Sequence, residues 1–216
     1  MKNKKKILIT GGAGFIGSAI IRQLLKKNIS LLNIDCLSYA SNKKNLLDVE
    51  KKKGYKFLKL DISNKKKLEK IFKKFKPDYV INCAAETHVD RSIISAKQFI
   101  KSNIIGTYNM LECTKDYLSK NKKFKRFHQI STDEVFGDLH KVAKAPDENS
   151  PYIPSSPYSA SKASSDHLVT SWGRTYKIPY SISICTNNYG PRQFPEKLIP
   201  KTIINAMKGK KIPIYG

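Results

Sequence analysis

The chain is short of acid. Against 41 Lys and Arg it carries 17 Asp and Glu, a net charge of +24 over 216 residues. It also lacks long apolar runs. No stretch approaches the roughly 20 residues that a membrane span needs, so no membrane partner is expected. The lysine-rich start at Met1 leads into an apolar run that Gly11-Gly12 breaks. That run is too short for a signal peptide, and a cytoplasmic location is expected. The four cysteines, Cys36, Cys83, Cys113 and Cys185, form no CxxC pair and fit no zinc spacing. They read as free thiols in a reducing compartment, and no metal is expected. Internal repeats and low-complexity linkers are missing as well. A 40% hydrophobic and 27% charged composition marks a globular chain. Its length suits one domain, or one and a half, and can bury a core without disulfides.

The excess of lysine sits in short runs, at Lys4 to Lys6, Lys51 to Lys53, Lys65 to Lys67 and between 120 and 125. Such a charge attracts anions in general. The stretch Lys122-Lys123-Phe124-Lys125-Arg126-Phe127 interleaves bases with aromatics, as single-strand binders do. Phe127, however, leads into the strand-like Phe127-His128-Gln129-Ile130 and is expected to face a core. The lysine runs are read as solvated helix faces and loops, and no nucleic-acid partner is expected.

Apolar runs and helical patterns alternate. Strands are expected at 6–10, 31–35, 55–60, 79–83, 126–131 and 180–185. Helices are expected at 15–27, with Ile16, Ile20 and Leu24 on one face, and at 65–75, with Leu68, Ile71, Phe72 and Phe75 inward. Two more are expected at 100–118 and 157–176, the last with Pro157 in its first turn and Ser155 or Ser156 as cap. The alternation predicts an α/β fold, a doubly wound parallel sheet of the Rossmann type. The Pro/Ser-rich stretch from Pro146 to Pro157 reads as a loop over the site.

Gly12-x-Gly14-x-x-Gly17 follows the first strand and opens the first helix, and Asp35 ends the second strand. In that context the glycines allow a tight turn and close approach of backbone to a pyrophosphate, which the helix N-terminus attracts. Asp35 can accept hydrogen bonds from ribose hydroxyls and would repel a 2′-phosphate, so NAD is expected over NADP. The competing reading is a glycine-rich phosphate turn without nicotinamide. Asp61-Ile62 and Ala84-Ala85 end the third and fourth strands, where they would meet the adenine and let the cofactor pass.

Tyr158 and Lys162 lie one helical turn apart. A tyrosine with a pKa of about 10 is a poor base near neutrality. The Lys162 ammonium is expected to lower it, and Lys162 can also hold the nicotinamide ribose. Thr132 could bond the substrate oxygen from which Tyr158 takes a proton. Beside them, Asp133 and Glu134 offer an acid and a base. Neighbouring carboxyls can split their pKa values by mutual repulsion and unequal burial. The bland alternative is a turn-capping pair.

Thr10-Gly11-x-x-Gly14-x-x-Gly17 with YxxxK resembles the extended short-chain dehydrogenase/reductases. Within them, four segments resemble the dTDP-glucose 4,6-dehydratases: Ala84 to Ser92, Ile130 to Gly137, Pro154 to Val169, and Asn187 to Pro191 with Phe194 to Pro200. The resemblance runs the whole chain. It implies a hydro-lyase that converts dTDP-glucose to dTDP-4-dehydro-6-deoxyglucose by internal NAD-mediated hydride transfer. Tyr158 would take the 4-hydroxyl proton, Glu134 the C5 proton, and Asp133 would protonate the departing 6-hydroxyl. The cofactor set it implies is Gly11, Gly12, Gly14, Phe15, Ile16, Gly17, Asp35, Asp61, Ile62, Ala84, Ala85, Ser102, Tyr158, Lys162 and Asn188. Thr87, Thr132, Asn187, Lys197 and Leu198 would touch the substrate, and His88 is given no proton-transfer role. A homodimer through the helices at 100–118 and 157–176 is also implied. Phe136 stands where the family has Tyr. The family continues into a C-terminal lobe for the substrate nucleotide, and the sequence stops before it. Residues 1–186 are therefore expected to be the NAD-binding domain and 187–216 the start of the substrate region. A UDP- or GDP-sugar dehydratase or epimerase, and an inactive NAD-binding fragment, are the alternatives.

Overall fold

Six apolar runs become six strands: β1 (Lys5–Thr10), β2 (Ile29–Asp35), β3 (Tyr55–Lys59), β4 (Tyr79–Asn82), β5 (Arg126–Thr132) and β6 (Tyr180–Cys185). In this computed structural model, which describes residues 4–138 and 145–212, they pair in parallel in the order β3-β2-β1-β4-β5-β6. Parallel neighbours cannot be joined by a tight turn, so the chain crosses over through helices. These are α1 (Phe15–Leu24), α2 (Lys65–Phe75), the short α3 (Val89–Ile94) and α4 (Lys97–Phe99), α5 (Thr107–Leu118) and α6 (Pro157–Tyr176); the β2–β3 crossover has only a 3₁₀ turn at Lys43–Leu46, and α7 (Leu198–Met207) follows β6.

Strand alternation sends neighbours in β1 to opposite faces. Leu8 joins a core with Leu68 and Phe72 of α2, Met110 and Leu111 of α5 and Val169 of α6. Ile7 and Ile9 join a second core with Ile21 of α1 and Leu46. Over β5 and β6 that second face is polar. His128 bonds Ser181 at 2.8 Å and Ser183 at 3.1 Å.

The helices follow their sequence signals with instructive departures. Asn64 caps α2 by accepting from Lys67 N–H, and Leu68 and Phe72 are buried while Ile71 and Phe75 pack partly against them. Ser156 caps α6 in a reciprocal bond with Ser159, with Pro157 next. α1 ends at Leu24 rather than Lys27; its fully buried residues are Gly17, Ser18 and Ile21, and Ile20 and Leu24 of the expected stripe pack partly buried against the second core. Small residues win there because a Cβ on Gly17 would lie 2.3 Å from the Gly11 carbonyl oxygen. The helix expected at 100–118 is two pieces, a wide π-helical stretch at Ile100–Gly106 and then α5. Phe124 and Phe127 are buried in the core. The base-aromatic alternation at 122–127 is therefore a strand entry with an exposed basic face, and offers no aromatic surface for stacking.

Candidate active site

Strand order reverses between β1 and β4, and the loops leaving their carboxyl ends part to form a cleft. One wall is made of backbone. Gly11 leaves β1 with φ +68, and a Cβ there would lie 2.7 Å from the Ala84 nitrogen. Only glycine lets the two strand ends meet this closely. Gly12 sits beneath the turn and donates its N–H to Asn33 at 3.1 Å. Gly14 caps α1 and faces the cleft, where an added Cβ would meet nothing nearer than the Gly11 oxygen at 3.3 Å. The free N–H groups of α1 thus open onto a glycine-lined hollow, the arrangement that accepts a diphosphate.

Asp35, 5% exposed, ends β2 at the rim of this hollow. Its two oxygens accept the N–H groups of Ala13 and Leu37, each at 2.8 Å. A carboxylate has about four lone-pair positions, so two remain for ribose hydroxyls. Phe15, Ile16, Gly17, Asp61, Ile62, Ala84, Ala85 and Ser102 line the same cleft, as do Asn187 and Asn188 beyond β6. The residues present fit an adenine dinucleotide.

The opposite wall carries the reactive groups. Thr132 ends β5, and Asp133–Phe136 form a single 3₁₀ turn capped by the Thr132 hydroxyl, which accepts from Glu134 N–H at 3.3 Å. The cap explains why Thr-Asp-Glu leaves the strand here. The turn aims Glu134 into the cleft beside Thr132, Tyr158 and Lys162. Asp133 is half-buried, its carboxylate accepting from Thr132 at 3.3 Å, and it lies beside the cleft lining rather than in it. Lys197 lines the cleft and donates to the Thr87 carbonyl at 3.2 Å, whereas Leu198 is 70% exposed outside it.

Electrostatics depart from expectation at Tyr158. Burial and then the Glu134 carboxylate push its phenol well above the usual tyrosine range, with only the Thr132 hydroxyl pulling it back appreciably. The lowering expected from Lys162 does not prevail over burial and Glu134, and the Lys162 Nζ donates to the Ile130 carbonyl at 2.6 Å. Burial also lowers the Lys162 pKa. Glu134 is raised by burial and by Asp133, with Lys197 opposing. The upward shift thus falls on the group expected to act as base, which brings it nearer the pH at which a base is effective.

A polar cluster at the cleft mouth had no signal in the sequence. Glu196 accepts from Tyr39 at 3.2 Å and faces His88 at 3.5 Å. Arg91 lies 3.7 Å over the Tyr39 ring, whose edge meets Phe194. Ser38, Glu86, Gln193 and Glu196 also line the cleft. They come from three segments far apart in sequence, 38–39, 86–91 and 193–196, and no spacing rule joins them. Among the described residues no group of three or more His, Cys, Asp or Glu could hold a metal ion. No helix among them is long and apolar enough to cross a membrane.

The family model described as GDP-mannose 4,6 dehydratase matches residues 8–216. This chain belongs to that family. Among its relatives, a dTDP-glucose 4,6-dehydratase of Neisseria gonorrhoeae is 51% identical over 220 residues, which is all of this chain and 64% of that protein. A dTDP-glucose 4,6-dehydratase of Streptomyces venezuelae, solved with NAD bound, superposes with a TM-score of 0.91 at 40% identity. The match covers 98% of this chain and 65% of that one. A UDP-glucose 4-epimerase of Thermotoga maritima superposes at 0.87 with 30% identity, over 98% of this chain and 66% of its own. The chain therefore spans a little under two thirds of the length of these family members.

Proposed function

We propose that this chain carries the cofactor site and the catalytic groups of a nucleotide-sugar 4,6-dehydratase acting on dTDP-glucose, with NAD as the resident cofactor. The observation that carries this reading is Glu134 and the Tyr158–Lys162 pair lining one cleft, opposite a glycine-and-aspartate dinucleotide wall. The resemblance to the dTDP-glucose 4,6-dehydratases supports it.

Gly11, Gly14 and the α1 N-terminus would hold the pyrophosphate, Asp35 the adenosine ribose, and Lys162 the nicotinamide ribose. When bound, NAD supplies the chemistry of hydride removal at C4 and hydride return at C6. Thr132 orients the sugar 4-hydroxyl, and Tyr158 takes its proton as the phenolate, a form that the positive nicotinamide of bound NAD would favour. The resulting 4-ketone acidifies C5, and Glu134 removes that proton. Asp133 gives a proton to the 6-hydroxyl, which leaves as water. Glu134 exchanges its proton with solvent and then protonates C5. A 4-epimerase needs no carboxyl pair for elimination, so Asp133 and Glu134 favour the dehydratase over the epimerase reading.

The direct test runs turnover in deuterated water. The dehydratase reading expects deuterium at C5 of the product, and a product with no deuterium there contradicts the proton transfers assigned to Glu134. Residues 1–186 form the cofactor part and 187–216 begin the substrate part in this reading. Thr87, Asn187 and Lys197 would face the substrate, and Leu198 would join them in a longer chain. Two copies would pair through α5 and α6, whose outer faces carry the edge-stacked Tyr108, Trp172 and Tyr176. A monomer on size-exclusion chromatography would contradict that pairing. Four free cysteines support a reducing, cytoplasmic location.

A further inference from the structure

The mechanism gives Asp166 no role, yet it is a carboxyl 1% exposed, one turn beyond Lys162 on α6. Its Oδ2 accepts from the Ser131 hydroxyl and, at 3.4 Å, from the Tyr152 phenol. Its Oδ1 is buried and has no hydrogen-bond partner among the described residues. Leaving a carboxylate oxygen buried and unpaired is costly and calls for a compensating interaction.

Two adjacent β5 residues are gripped by this one helix. Lys162 donates to the carbonyl of Ile130, and Asp166 accepts from the side chain of Ser131. The next residues are Thr132, Asp133 and Glu134. Tyr158, Lys162 and Asp166 follow one another at helical spacing, so one stripe of α6 meets the exit of β5. Tyr152 extends the contact, stacking its ring against Phe136 at the end of the 3₁₀ turn and against His167.

We propose that Asp166 is a positioning residue of the active site: through Ser131 it ties the turn bearing Asp133 and Glu134 to the helix bearing Tyr158, and its carboxyl stands one helical turn from Lys162. The catalytic roles of those residues rest on the dehydratase reading. A buried amine sheds its proton unless a negative charge faces it. The groups acting on Lys162 are Asp166 from its own helix, Cys83 from β4 and Cys185 from β6, with the Ile130 carbonyl from β5. Of these, only Asp166 is a carboxyl. Burial pushes the Cys83 thiol up to about 12, so it stays neutral. Asp166 itself is pushed up by burial and drawn back by Lys162, Ser131, Tyr152 and His167.

The test follows Lys162 directly. Its amine is titrated by NMR in the whole chain, the resonance assigned by its loss in Lys162→Arg. Asp166→Asn keeps the shape and a partner for Ser131 but removes the charge. Its Lys162 midpoint should fall by about one pH unit or more, with little change in unfolding temperature. Ser131→Ala removes the nearer donor to the same carboxylate, so its Lys162 midpoint should fall by less than in Asp166→Asn, while kcat drops about tenfold at unchanged KM. An unmoved midpoint in Asp166→Asn overturns the charge role, and an unchanged kcat in Ser131→Ala overturns the tie. Should Asp166→Asn fail to fold, Tyr152→Phe removes a donor to the carboxylate. The midpoint should then fall by a smaller amount, and no fall overturns the proposal. The titration needs no substrate. A wild-type chain that fails to dehydrate sugar would sink the dehydratase reading and leave the Lys162 result to stand or fall separately.

Discussion

At the β1–β2 end of the cleft the site is shaped by backbone: a left-handed glycine pressed on β4, and an aspartate held by two N–H groups at 2.8 Å each. At the β5–α7 end it is shaped by side chains on loops. There α7 buries none of its residues, and Leu198 and Met207 are 70% and 83% exposed. The first end is rigid because moving it means breaking the sheet. The second holds its groups through single contacts, such as Lys197 on the Thr87 carbonyl. Dinucleotide binding should therefore tolerate changes that substrate handling does not.

Changes at the reactive wall should have the largest effect on turnover and almost none on NAD. Tyr158→Phe or Glu134→Gln should each lower turnover by about 10² to 10⁴, with NAD affinity unchanged by calorimetry. Glu134→Gln should in addition let NADH accumulate, since oxidation proceeds and elimination does not. Its raised pKa also sets the acid limb of the wild-type rate, which should fall as pH drops through that value and protonates the base.

The converse experiment breaks the backbone wall. Gly11→Ala forces a Cβ into the Ala84 backbone and should cost about 2 kcal/mol of stability or more, read by denaturant unfolding. Asp35→Ala frees the N–H groups of Ala13 and Leu37 as well as the ribose, and should weaken NAD about ten- to a hundredfold. A loss confined to substrate KM would erase the contrast between the two ends. Lys197→Ala should do the opposite, raising KM for the sugar nucleotide about tenfold while leaving NAD affinity alone.

The smallest effect concerns stability. A carboxyl whose folded pKa is raised binds protons more tightly folded than unfolded, so it costs stability once pH exceeds the unfolded value of about 4.3. That cost is complete above the folded pKa and vanishes below the unfolded one. Glu134→Gln should therefore raise the unfolding temperature slightly at neutral pH, and the gain should fade below about pH 4.

The same contrast explains what was legible in the sequence. The strands and the glycine turn were readable because buried parallel strands need apolar runs, and because only glycine satisfies Gly11 and Gly17. Tyr158, Lys162 and Ser156 were readable because helix spacing and capping are local. The π-helical stretch at Ile100–Gly106 was not. It preserves the apolar pattern of a helix, and Gly106 packing on Ile62 is a tertiary event. The Tyr39, His88, Arg91 and Glu196 cluster was invisible because loops bring it together. The sign of the Tyr158 shift was misjudged because spacing shows that Lys162 is near, but not that burial and the Glu134 carboxylate outweigh it.

The most direct measurement incubates the 216-residue chain with NAD and dTDP-glucose and follows the sugar nucleotide by mass spectrometry. Loss of one water, abolished in Tyr158→Phe, is the result predicted for a cleft that joins a dinucleotide wall to Glu134 and the Tyr158–Lys162 pair. An unchanged sugar nucleotide on a chain that still binds NAD would contradict it.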